Sequence, residues 1–198
     1  MGKFFFAAVL VCGLAGTRPA WGQSTGTPAF LAPYRAARTN ELGATLSDPG
    51  EGVAIEGFYR FGRQPHDFGF RAGILDTDGT TAGLFGVDYR VRVLTHDEDM
   101  PLDGALVLGV GAALSDQASI GYIPIGLSLG RRIDLEESAV SFVPYFEPLL
   151  TPTFGDREDV LFSVGLGVDV RVSEHLDLRV GGALGDYDGI SVSLAWLQ

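Results

Sequence analysis

The sequence predicts an all-β protein: an antiparallel, up-and-down transmembrane β-barrel of ten strands, with eight strands as the fallback count. Three observations carry that expectation. Val160, Phe162, Val164, Leu166, Val168, Val170 and Val172 alternate with Leu161, Ser163, Gly165, Gly167, Asp169 and Arg171, the period of a strand between two different environments. The second face is small and sparsely charged, unlike the Lys-, Glu- and Thr-rich face of a sheet in water, and fits a crowded narrow lumen. No later apolar run reaches the roughly 20 residues of a membrane helix, so spanning would require a closed sheet that pairs every backbone group away from water.

Taken in order, the chain opens with Lys3, an apolar segment from Phe4 to Leu14, and small residues at Ala20 and Gly22. These read residues 1–22 as a secretory signal. Cys12, the one cysteine, lies inside that segment, so the mature chain is expected to have neither disulfides nor thiol chemistry. Residues 23–38, with Thr27-Pro28 and Ala32-Pro33, form an extended leader without periodicity, and 39–198 the barrel.

Strands are expected at Thr39–Ser47, Val53–Phe61, Asp67–Leu75, Thr81–Leu94, Leu102–Leu114, Ile120–Arg131, Ala139–Leu150, Val160–Val172, Leu176–Leu184 and Ile190–Leu197. The first is the weakest pattern. Most match the roughly 9–11 residues of a tilted membrane strand. Pro144, Pro148 and Pro152 each remove a ladder donor and point to bulges or a break in the seventh. Short Asp- and Gly-rich turns separate the strands, the tightest being Ser173-Glu174-His175.

The balance is acidic, 25 Asp and Glu against 14 Lys and Arg, a net charge of −11, which argues against nucleic acid as a partner. Beyond Lys3 every basic residue is Arg. Arg keeps its charge when desolvated and grips carboxylates with a planar fork, which suits a confined interior. Codon bias in a GC-rich genome would give the same composition.

The run VGLGVDVRVSEHLDLRVGGALG followed by GISVSLAW resembles the closing strands of small bacterial outer-membrane β-barrels of the OmpA, OmpX and OmpW kind, a likeness covering Thr39 to Gln198. It implies a Gram-negative envelope location after export, outer-membrane lipid as surroundings, and barrel-insertion machinery as a partner. Such barrels end in an aromatic residue; here Trp196 is followed by Leu197 and Gln198.

Alternation places Glu56, Arg60, Arg71, Asp88, Arg90, Arg92, Asp103, Glu147, Asp169, Arg171, Asp177 and Arg179 on the lumen face. Charges in so restricted a space must pair, so they are expected to form a ladder of Arg–carboxylate contacts, with Asp169 and Arg171 facing Asp177 and Arg179 across a short hairpin. A narrow bore favours a structural plug over a selective, porin-like pore. Tyr59, Phe61, Phe68, Phe70, Phe85, Tyr89 and Trp196 are expected as interfacial aromatics.

No residue set calls for a cofactor, a metal or an enzyme. Asp76-Thr77-Asp78-Gly79 opens like a calcium loop, but Thr81 and Val87 stand where that loop needs Gly and Glu. His96-Asp97-Glu98-Asp99 reads as a charged turn rather than a cation site. The resemblance includes barrels acting as proteases or lipid hydrolases through His; His66, His96 and His175 all fall in turns at the end opposite to where such enzymes work, and read as solvated. The expected role is structural or interfacial, with at most slow passage of small solutes. The competing readings are a soluble, lipocalin-like barrel binding an apolar ligand with the greasy faces turned inward, and an outer-membrane lipid hydrolase or protease.

Overall fold

The computed structural model describes residues 32–33, 39–50, 52–77, 79–135 and 140–198; the signal segment and most of the leader lie outside them. The strands are β1 (Glu41–Asp48), β2 (Val53–Arg63), β3 (His66–Thr77), β4 (Thr80–Leu94), β5 (Asp103–Leu114), β6 (Ser119–Tyr122), β7 (Ile125–Gly130), β8 (Ile133–Asp134), β9 (Ser141–Gly155), β10 (Asp159–Ser173), β11 (Leu176–Gly185) and β12 (Gly189–Leu197). All neighbours pair antiparallel, and β1 pairs with both β2 and β12, so the sheet closes without an edge. Segments β6 and β7 lie end to end between β5 and β9, and β8 continues them against β9. Ten staves result, as alternation predicts.

The interruption falls in the sixth stave, not the seventh. β9 carries Pro144, Pro148 and Pro152, yet runs unbroken and in constant register against β10 from Thr153↔Asp159 to Ser141↔Arg171. The prolines recur every fourth residue and present their backbone to one side: Ile123 N–H donates to the Pro152 carbonyl at 2.9 Å and Arg131 N–H to that of Pro144 at 3.3 Å. The missing donors all face the sixth stave, whose own Pro124 lacks another, and that stave breaks into three segments. The turns at 64–65 and 174–175 are both only two residues long, so the turn at His175 shares its tightness. Gly79, just before β4, has φ +94°, a conformation a side chain would strain.

The sidedness is that of an inside-out protein. On β10, Phe162 and Leu166 are 49% and 46% exposed, whereas Asp169 is 1% exposed. Outward charges on the strands sit at their ends, as with Asp48, Arg63 and Asp76. The outward apolar run from Val160 to Val172 covers roughly 40 Å of strand, or about 30 Å along the axis at a barrel's usual tilt, close to a bilayer's apolar thickness.

The interior is not uniformly polar. Call the mouth where β1 begins and β12 ends the near mouth. Charged side chains fill the near half and middle, while Ile120, Tyr122, Leu149, Leu161, Ala183 and Tyr187 pack together toward the far mouth. Tyr187 comes from the β11–β12 turn, folded inward with its N–H donating to Ser163 Oγ at 2.8 Å, and burial raises its phenol above the usual value. Apolar and aromatic side chains thus fill the lumen toward this end.

An outward charge at mid-strand should be costly. Leu166→Arg is expected to lose about 2–4 kcal/mol against urea in lipid vesicles, whereas Gln117→Arg in an exposed turn should stay within about 0.5 kcal/mol.

Candidate functional site

The interior charges join into lattices that cross several staves. On the β2–β4 wall, Arg60 of β2 bonds both Asp67 of β3 and Asp88 of β4, the second through Nη2 at 2.7 Å. Asp67 in turn accepts from Nε of Arg90 at 3.1 Å. Four charged groups on three strands thus share contacts, each fork holding more than one acceptor.

A second lattice crosses the seam where the first strand meets the last. β10 and β11 pair Asp169↔Arg179 and Arg171↔Asp177, the facing arrangement the hairpin implies. Arg171 Nε donates to Asp177 Oδ1 at 2.7 Å. Arg179 reaches over β12 to Glu41 of β1, Nη2 to Oε2 at 2.7 Å, and its Nε lies 3.5 Å from Asp169 Oδ2. Its guanidinium also stands 5.8 Å from the ring centre of Phe58, a cation–π contact. Deeper on β2 and β3, Glu56 and Arg71 stand 3.9 Å apart. Glu147 is buried on the lumen face of β9 and Arg92 half-buried on that of β4.

Asp103 departs from the ladder. Its Oδ1 accepts from the backbone N–H of His96 at 3.1 Å, so it ties the β4–β5 turn at the near mouth. At a strand's first residue, alternation assigns a face but the neighbouring turn offers a free donor. Conversely, Glu41 and Asp67 complete the two lattices although the sequence reading omits them. Their signal was present: Glu41, Gly43, Thr45 and Ser47 alternate with Leu42, Ala44 and Leu46, and Asp67, Gly69 and Arg71 with Phe68, Phe70 and Ala72.

The aromatics separate by height. Phe61, Phe68, Phe70 and Trp196 are exposed on the outer face toward the near mouth, with half-buried Tyr59 and Tyr89 among them. Tyr59 and Phe61 meet edge to face at 4.6 Å, and Phe68 lies 4.9 Å from Tyr89. Phe85 instead stands inside β4, rising between shallow grooves floored by Gly57 and Ala72 on one side and Ala112 and Gly121 on the other. It pairs with Ala72, two positions farther from the near mouth than Phe70 opposite Val87. Exposed Phe154 and Phe162 supply aromatics near the far mouth.

The histidines all lie at the near mouth. His66 Nδ1 meets Tyr89 Oη at 2.5 Å, and His175 stacks on Trp196 at 5.6 Å with Nδ1 3.3 Å from the Leu197 carbonyl. His96 is exposed. In the same turn, Asp97 Oδ1 accepts from the N–H groups of Asp99 and Met100, so this acidic run builds a turn.

Removing a shared carboxylate should take one partner from each of two buried guanidiniums. Asp67→Ala is expected to cost about 3–5 kcal/mol, while Arg132→Ala, which breaks the exposed pair with Asp134, should cost at most about 1 kcal/mol. Urea titration in detergent, followed by the fluorescence of Trp196, measures both.

No family model matches the chain, and no curated protein does. Among solved structures the likenesses include two distant ones. A chain from work titled "De novo design of transmembrane beta-barrels" is 14% identical, with a TM-score of 0.41, covering 81% of this chain and 95% of that one. A bacterial polysaccharide outer membrane secretin is 11% identical, with a TM-score of 0.46, covering 74% of this chain and 57% of the secretin.

Proposed function

We propose that this chain is an outer-membrane β-barrel protein with a structural or interfacial role, whose lumen, filled by Arg–carboxylate pairs, allows at most slow passage of small solutes. One observation carries the reading: the outward face of the closed sheet is apolar all round, as at Leu46, Ile55, Phe70, Leu108, Leu166 and Leu194, while the charges turn inward. A soluble monomer rarely exposes apolar patches beyond a few hundred Å², and this face is continuous from stave to stave. In hydrocarbon the same surface costs nothing, and the closed sheet gives every stave a neighbour on both sides.

The partners that follow are outer-membrane lipid and the insertion machinery, for which Trp196 near the C-terminus is the recognisable aromatic. The near mouth, where the strand ends lie, would face the periplasm. No chemistry is assigned: the histidines serve aromatic and backbone contacts. A soluble carrier would need the greasy faces turned inward, the opposite of the arrangement of Phe162 and Asp169.

Cell fractionation with heat-modifiable gel migration tests this. The chain is expected in the outer-membrane fraction, running faster unheated than boiled, and in planar bilayers it should give far less conductance than an open porin. Recovery as a soluble periplasmic species would overturn the reading.

A further inference from the structure

One stretch inside the barrel belongs to no strand. Ala32 is fully buried, packed in the cluster that includes Val143 and Tyr145 of β9. Its carbonyl accepts a hydrogen bond from Nη1 of Arg90, a buried 2.8 Å contact. Pro33 is buried beside it, and its Cδ fills the space over Gly130 of β7, where an added Cβ would come within 3.0 Å.

Three features make this a built site. Arg90 is held in place by Asp67 on its Nε, leaving the fork to serve a carbonyl that would otherwise be buried without a donor. The bonded group is backbone, and the neighbouring residue is a proline, which brings no N–H into an enclosed space. Gly130 supplies the clearance that any side chain would remove. Thr39 lies just before β1, so only residues 34–38 join this buried dipeptide to the wall.

We infer that the lumen between β4, β7 and β9 is a binding site for a short proline-containing peptide segment, occupied by the chain's own Ala32-Pro33, which acts as an internal stopper. The inference rests on the barrel reading above and adds an occupant to it. Arg90 is then both a member of the ion-pair lattice and the latch of the stopper.

Thiol labelling tests it, since the mature chain is expected to carry no cysteine of its own. In folded protein in detergent, Ala32→Cys should react with a polar maleimide at least about tenfold more slowly than Gln117→Cys in the exposed far turn. Gly130→Leu, which fills the place of Pro33, should bring Ala32→Cys up to the exposed rate while the heat-modifiable band persists. A heat-modifiable barrel in which Ala32→Cys reacts as fast as Gln117→Cys overturns the stopper alone. Loss of heat modifiability in the parent chain overturns the barrel reading and the stopper with it. The first comparison holds whether or not the Gly130→Leu variant folds.

Discussion

Closure of the first strand on the last governs this molecule. Eight consecutive residue pairs, Glu41↔Leu197 to Asp48↔Ile190, join β1 to β12. Each strand turns an apolar face outward and carries a backbone that must pair, and only a closed ladder gives every strand a neighbour on both sides. The Glu41–Arg179 contact spans the intervening β12 and fastens the seam from inside, between residues 138 apart in the chain. A seam brings together the most distant parts of the chain, so closing it is costly in loop entropy and gains from a cross-strand tie.

Closure also sets the character of the interior. Ten staves enclose little space, and what is left must be filled by groups that satisfy one another. Tyr145 of β9 lies across Gly167, its partner on β10, whose missing side chain makes room for the ring. Where charges point inward, arginine forks bridge pairs of carboxylates on different strands, as Arg60 does between Asp67 and Asp88. Desolvation makes each charge expensive alone, and shared contacts offset that expense, so the lattices favour one register over its neighbours.

The seventh strand shows how local chemistry and its consequence can part company. Three prolines in β9 look like breaks in that strand, but their spacing aims every lost donor at one neighbour, and the neighbour fragments. The continuous side then pairs with β10 along the longest regular ladder of the barrel. A one-dimensional reading sees the missing N–H but not the direction in which it would have pointed.

Alternation in the sequence by itself determined the strands, their number and which side chains face outward, because a period of two is a local property of the backbone. It also determined the pairing of Asp169 and Arg171 with Arg179 and Asp177, because a short hairpin leaves almost no choice of register. Tertiary structure decided the rest. Adjacency across the seam brings Glu41 to Arg179, and the placing of Ala32-Pro33 under Arg90 depends on the closed lumen. Periodicity has no term for these, since they arise only when residues far apart in the chain share an enclosed volume.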